Sequence, residues 1–334
     1  MRFSRTLLCA LACAGGLAAA AGARAQAQTQ TQALPPGWPA KPIRLVVPQS
    51  AGGSTDLVAR PLAQFLSAAL NQNVLVDNRP GAGSVVGSEI VARSAPDGYT
   101  LLAVASSFSA TPALQPKLSF DSERDFAPIS MVSLLPGLLV VHPSLPVKSV
   151  QELIALAKSK PGRLNYSSSG LATGTHMSME LFQHLTGIQM VHVPYKGGAP
   201  SVQALISNEV QVTMATMSTA LPHVRSGRLR ALGVTTAKRS SAIPEVAPIA
   251  ESGVPGFDHS SWVGLLAPAK TPAPVIARLN AEVVKVATSV EMKALLAAEG
   301  SEPVGSSSAE FATLIRTEVA RWKKVVKSAG IRIE

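Results

Sequence analysis

Ile43-Arg44-Leu45-Val46-Val47-Pro48-Gln49-Ser50-Ala51-Gly52-Gly53-Ser54-Thr55-Asp56-Leu57-Val58 decides the fold class. Ile43 to Val47 has the apolar character of a strand buried on both faces. Thr55 to Leu70 predicts a helix with Leu57, Val58, Leu62, Phe65 and Leu66 on one side. The loop between them is rich in glycine and hydroxyls. Strand, loop and helix together make a βα unit, and the same grammar continues outward. Val74 to Asp77 reads as a second strand, Asn78 to Gly83 as a turn into a short helix ending near Ala95, and Thr100 to Ala105 as a third strand. Such alternation predicts an α/β protein built on a largely parallel sheet.

The pattern restarts after Phe126. Ile129 to Val141 is strand material, and Ser149-Val150-Gln151-Glu152 has the spacing of a capping box that starts a helix, ended by Pro161-Gly162. Strands are expected at Leu164 to Ser167, Met190 to Val193, Gln211 to Met214, Leu229 to Val234 and Ser260 to Ala267. Helices are expected at Thr175 to Thr186, after Pro200, and in a short segment before Leu229. The tail reads as three helices, Pro272 to Ser289, Glu291 to Ala298 and Ser308 to Ala329. The last carries Phe311, Leu314, Ile315, Val319, Trp322 and Val326 at helical spacing. No internal repeat is visible at a fixed period.

Length and composition bound what this framework can be. Arg2 and Arg5, the apolar run Thr6 to Ala21 and the small-residue site Ala23-Arg24-Ala25 read as a secretory signal cleaved after Ala25. A lipid anchor at Cys13 fits less well, because Ala10 stands where leucine is usual. Removing 25 of the 334 residues leaves 309, enough for two lobes. Residues 26–37 are polar and read as a disordered linker. Cys9 and Cys13 both lie in the signal, so disulfide and thiolate chemistry are excluded from the mature chain. The longest apolar run beyond the signal, Ile129 to Val141, is broken by Pro136 and too short to span a bilayer. A soluble, exported protein is expected.

Without Arg2, Arg5 and Arg24 the 30 basic residues fall to 27 against 20 acidic, a balance of +7. The cations are scattered singly and no basic stripe is interleaved with aromatics, so nucleic acid is not an expected partner. Small anions fit better. Two loops could receive one. The first is Ser50, Ala51, Gly52, Gly53, Ser54, Thr55 and Asp56; the second runs through Ser168, Ser169, Gly170, Thr173, Gly174, Thr175 and His176. Each leads from a strand into a helix start, where unpaired N–H groups and the positive dipole end favour an anion. A carboxylate gripped by both, in a cleft at the carboxyl ends of strands, is the reading they support together.

Enzyme readings compare poorly. Arg79 to Gly87 resembles a dinucleotide fingerprint, but its third glycine comes one residue late. There is neither a Gly-x-Ser-x-Gly elbow nor a Walker loop. His176, Glu180 and His184 share one helix face, yet without a cysteine or a His-Glu-x-x-His core no metal site is expected. No cofactor is expected either.

Six motifs in fixed order carry a resemblance: Trp38 to Arg44, Ala51 to Asp56, Asn78 to Gly83, Pro96 to Leu102, Pro194 to Gly197 and Ser261 to Leu265. Over nearly all the mature chain the sequence resembles the Bug-type periplasmic solute-binding receptors of tripartite tricarboxylate transporters. The resemblance implies a type II periplasmic binding protein fold, two α/β lobes joined by crossing strands with a ligand cleft between them. Lobe 1 is expected at 38–127 plus 257–334 and lobe 2 at 128–256. The implied function is capture of a small carboxylate, di- or tricarboxylic or aromatic, by a monomeric receptor. The partners implied are the large and small membrane subunits of such a transporter. An exported hydrolase or lyase and a sensory receptor are the alternatives. By the same resemblance Ser54, Thr55, Ser169, Gly170, Thr173 and Thr175 hold the ligand, with Ser106, Ser107, Tyr195 and Lys196 nearby. Relatives often read Met-Phe-Asp where this chain has Met214-Ala215-Thr216, which lacks the acid. That change disfavours a ligand carrying an ammonium group.

Overall fold

The structure, a computed structural model, describes residues 33–115, 117–298 and 300–329. The expected signal, its cleavage site, both cysteines and residues 26–32 of the expected linker lie outside the described residues. Residues 33–37 are exposed, and the buried Trp38 begins the packed structure.

Among the described residues eleven strands form two sheets. The first contains β1 (Ile43–Val47), β2 (Val74–Asn78), β3 (Thr100–Ala105), β4 (Phe126–Leu135), β10 (Ser261–Pro268) and β11 (Glu302–Pro303), in the order β11-β4-β10-β3-β1-β2. The second contains β5 (Gly137–Val141), β6 (Asn165–Ser168), β7 (Val191–Pro194), β8 (Val212–Thr216) and β9 (Arg230–Val234), in the order β7-β6-β8-β5-β9. The apolar run expected as one block of strand is therefore divided at Pro136, and its two halves serve different sheets. Proline has no N–H for a ladder, which suits it to the break.

The sheets are mixed, not largely parallel as the alternation predicts. β1 runs parallel to β2 and β3, and β6 parallel to β7 and β8. β10 is antiparallel to both β3 and β4, and β5 is antiparallel to β8 and β9. Strands that carry the chain from one sheet to the other and back must reverse direction, and periodicity holds no record of direction.

The helices are α1 (Ser54–Leu70), α2 (Val85–Ala92), α3 (Ser107–Leu114), α4 (Val150–Ser159), α5 (Gly174–Thr186), α6 (Gly198–Ile206), α7 (Met217–Arg225), α8 (Ala273–Ala287), α9 (Val290–Ala298) and α10 (Ser308–Ala329). In α1 the buried stripe is Val58, Ala59, Leu62, Ala63, Leu66 and Leu70, while Leu57, expected on that face, is exposed. The Ser149 cap forms, its side chain accepting the Glu152 N–H at 3.2 Å, as the capping spacing predicts.

α10 links the two cores. Phe311, Ile315 and Val319 pack in one cluster with Val46, Leu102 and Trp262, whereas Trp322, Val325 and Val326 join another with Tyr166, Phe182 and Met214. At Gly264 in β10 a Cβ would lie 2.2 Å from the Phe311 ring, so glycine is what lets α10 approach the sheet. Among the described residues no helix is long and apolar enough to cross a membrane.

Candidate functional site

All the nominated residues collect at one kind of place. Ser50 to Asp56 follow β1, Ser106 and Ser107 follow β3, Ser168 to His176 follow β6, and Tyr195 and Lys196 follow β7. Each lies at the carboxyl end of a strand with a parallel neighbour, the edge where α/β sheets bind ligands.

The first loop is occupied by its own acid. Asp56 is 1% exposed. Its Oδ2 accepts the Gly52 N–H at 2.8 Å and the Arg60 Nε–H at 2.8 Å, while Oδ1 accepts from Asn78 Nδ2 at 2.9 Å. Asn78 also donates to Gln49 O at 3.0 Å, tying the loop to the end of β2. Burial by itself would raise the Asp56 carboxyl, but the hydrogen bonds from Arg60, Gly52 and Asn78 outweigh it and hold the group below its ordinary value. A carboxylate thus already sits in the first turn of α1. Gly53 is the cap residue, and Thr55 Oγ1 is buried with no protein partner.

The second loop holds hydroxyls where the first holds a charge. Thr175 Oγ1 accepts the Ser169 N–H at 3.0 Å and lies 2.8 Å from Ser169 Oγ and 3.1 Å from Thr173 Oγ1. Thr173 donates to Gly170 O at 2.8 Å. With that proton spent, Thr175 donates to Thr173 or to Ser169. In the second arrangement the Ser169 proton is free to point elsewhere. Thr173 caps α5 without a side-chain bond, and no acidic residue lies in the first turn. First-turn N–H groups lack partners within their helix, so this end of α5 can receive an external anion.

Beneath the loop lies a stack of rings. His176 and His192 are 4.0 Å apart at 8°, and Tyr166 stacks on His192 at 4.8 Å. His176 Nδ1 accepts the Ala172 N–H at 3.1 Å, and His192 Nε2 lies 2.7 Å from Ser168 Oγ. Burial first, and then the neighbouring His192, lower His176 to about 3; burial lowers His192 to about 4. Both rings are neutral at physiological pH. Glu180 receives the Tyr166 hydroxyl and Gln183 Nε2, and burial raises its carboxyl above the usual range. His176 and Glu180 are thereby engaged in this network, and among the described residues no group of three or more His, Cys, Asp or Glu side chains is arranged to hold a metal ion. Ala172 holds a φ of 61°, a left-handed conformation that costs a residue with a side chain about 1–2 kcal/mol.

The second loop also meets the first sheet. A Cβ on Gly174 would lie 1.8 Å from Ser261 Oγ and 3.3 Å from Ser106 Oγ, so the start of α5 abuts the end of β3 and the start of β10. Ser106, one of the nominated residues, is thus brought beside the second loop. The segment that carries Tyr195 and Lys196 is tied to it by the backbone on either side: Tyr195 N–H donates to Ser168 O at 3.0 Å and Gly197 N–H to Ser169 O at 3.1 Å. The Tyr195 hydroxyl itself is spent on Glu209 at 2.6 Å. Burial and that carboxylate push it up to about 12. Lys196 is exposed. Ala215 lies buried in an apolar cluster with Leu138 and Val140.

Four residues beside these loops or at a neighbouring strand end escape sequence reading. Ser261 faces Gly174, and His192 supports Ser168. His259 is buried against the edge of Trp322, and burial lowers it to about 3. Thr216 ends β8 and lies 3.0 Å from Thr219 Oγ1. A hydroxyl at a strand end was the available signal for Ser261 and Thr216; an isolated histidine offers none. Two cavities, of about 390 Å³ beside Asp121, Arg124 and Lys323 and about 360 Å³ beside Pro143, Arg230 and Ile243, include none of the nominated residues.

Comparison with known proteins adds independent findings. The model of the tripartite tricarboxylate transporter family receptor matches residues 58–331. BugT of Bordetella pertussis is 38% identical over 299 residues, covering 89% of this chain and 92% of that protein. Rpa4515 of R. palustris, solved with adipate, is 37% identical with a TM-score of 0.77, over 88% of this chain and 99% of that one. MatC of Rhodopseudomonas palustris, solved with bound malate, is 31% identical with a TM-score of 0.75, over 86% and 100%. The two α/β sheets share the fold of periplasmic binding proteins, as the motifs imply.

Proposed function

This chain belongs to the tripartite tricarboxylate transporter receptor family, and on that premise we propose that it captures a small carboxylate in the periplasm and delivers it to the two membrane subunits of such a transporter. Members of the family are solute-binding receptors, and adipate and malate are bound in two structural neighbours. The observation that carries the reading for this chain is the second loop. Its hydroxyls converge around Thr175, and the following helix start carries no acid of its own. Ser106 adds a hydroxyl from the other sheet. The ligand is a plain carboxylate, since Met214-Ala215-Thr216 supplies no charge for an ammonium group.

The proposal extends to the lobes. Lobe 1 is built on the first sheet, from the expected 38–127 and 257–334 together with the rest of β4 to Leu135, so the expected start of lobe 2 at 128 moves to the crossing at Pro136 and lobe 2 runs to 256. Closure of the lobes traps the ligand, and no covalent chemistry follows. The receptor acts as an exported monomer that begins at Gln26.

Thermal-shift and isothermal titration against adipate, malate, citrate and benzoate test the function, because a ligand that binds only the native state raises the melting point. At least one saturable carboxylate is expected, recovered unchanged after incubation. No binder in the panel, or turnover that tracks the protein, overturns the reading. Mass analysis of the periplasmic fraction checks export; a chain retaining Met1 contradicts it.

A further inference from the structure

We propose that His176, seated on His192, is a positioning residue for the carboxylate loop: its unprotonated Nδ1 takes the Ala172 amide and fixes the curve that presents Ser169 and the start of α5. The proposal deepens the receptor reading and rests on it only for the identity of the ligand.

Three observations converge. Ala172 sits at φ 61°, where a residue with a side chain persists only if its surroundings hold it there. Among the hydrogen bonds of this turn, the Ala172 N–H donates to His176 Nδ1, four residues on in the same chain. The two imidazoles then tie both ends of the curve, Ser168 through His192 and Ala172 through His176, and their face-to-face packing at 4.0 Å fixes one ring against the other. A ring present only for packing would need no acceptor at Nδ1.

The acceptor role requires the neutral ring with its proton on Nε2. Glu180 Oε1 lies 3.8 Å from that nitrogen, and His192 and Tyr166 face the ring from β7 and β6. Burial keeps both histidines uncharged throughout the physiological range. Protonation at Nδ1 would set one N–H against another and release Ala172.

Replacing His176 in two ways separates positioning from packing. Asparagine places its Oδ1 near the site of Nδ1, whereas leucine fills similar space with no acceptor. His176→Gln, which puts its polar end nearer the site of Nε2, should behave like leucine and serves if His176→Leu does not fold. Two readouts apply: hydrogen exchange of the Ala172 amide in the unliganded protein, and titration with adipate. Exchange at Ala172 should quicken about tenfold or more in His176→Leu and stay within about threefold of wild type in His176→Asn. Adipate affinity should follow the same order although both variants melt lower. Equal exchange in the two variants, or unchanged exchange in His176→Leu, overturns the proposal. If wild-type protein fails to bind adipate, the ligand assignment falls, and the exchange comparison still decides the role of His176.

Discussion

The loop after β1 and the loop after β6 both join a strand to a helix through glycines and hydroxyls, yet the first contains Asp56 and the second contains no acid. Asp56 spends its oxygens on Gly52, Arg60 and Asn78, so the positive end of α1 is already neutralised from within. In the loop after β6 the corresponding work falls to uncharged groups, three hydroxyls and a buried imidazole. The acid of the first loop is satisfied without a ligand, with Thr55 Oγ1 left unpartnered, whereas the second loop meets its helix start with hydroxyls alone. Composition makes them look equivalent; charge makes them different.

Breaking the first loop should show mainly as lost stability. Asp56→Ala removes a buried carboxylate and leaves Gly52 and Asn78 without their acceptor. We expect about 3 kcal/mol of destabilisation in urea titration, toward the low end for a buried pair because Arg60 is half exposed and rehydrates. The sign with pH follows: the folded carboxyl is held low, so its contribution is present above about pH 4 and is lost as pH falls through the folded value. A variant as stable as wild type would remove the contrast.

Breaking the second loop should show mainly as lost affinity. Ser169→Ala or Thr175→Val removes a charge-assisted hydrogen bond or the group that aims it. About 1.5–3 kcal/mol of binding, or roughly 10- to 150-fold, should disappear from titrations with the best carboxylate. Ser54→Ala in the first loop should cost less than about threefold, since a water can replace an exposed hydroxyl. Equal losses at Ser54 and Ser169 would make the loops equivalent after all.

The contact between the second loop and the first sheet can be sharpened separately. Gly174→Ala drives a Cβ to 1.8 Å from Ser261 Oγ, and overpacking of this kind costs about 1–3 kcal/mol. Adding Ser261→Ala should recover part of the loss, because the nearest atom is then gone. Simple additivity of the two changes, measured as a double-mutant cycle, would argue against contact.

A smaller effect concerns pH. His176, His192 and His259 have folded values of about 3, 4 and 3, against about 6.5 when unfolded. Below about pH 6.5 the unfolded chain binds protons that the native protein refuses, so stability should fall as pH drops toward 4. Glu180 and Glu318 oppose this, since burial raises their carboxyls and favours the native protein at low pH. His259→Phe should reduce the pH slope of the unfolding free energy from urea titration by at most about 1.4 kcal/mol per pH unit. Parallel slopes would place His259 outside the effect.

The parts of the fold that were legible were those with strong local patterns. Ile43–Val47, Thr100–Ala105 and Ser308–Ala329 follow directly from apolar runs or helical spacing. The division at Pro136 was hidden because both halves of the run are apolar and bury equally well. α3 was missed because Ser107–Leu114 buries Ser109 and Thr111 as well as Phe108, and contains Pro112, so it presents no apolar stripe. β11 is two residues long and has no pattern to read. Both loops were visible as glycine and hydroxyl groupings. Their difference was not, because whether Asp56 turns its oxygens inward depends on Asn78, 22 residues away on another strand. His192 and His259 lay hidden for the same reason, being solitary side chains whose partners are distant in sequence.

The central claim is that the ligand carboxylate rests on the loop after β6. Amide chemical shifts of 15N-labelled protein during titration with adipate, or with the best binder of the panel, test it most directly. The largest changes should fall at Ser169, Gly170, Gly174 and Thr175, with smaller ones at Ser106 and at Ala51 to Thr55. Large changes confined to Ala51 to Thr55, with Ser169 to Thr175 unmoved at saturation, would contradict it.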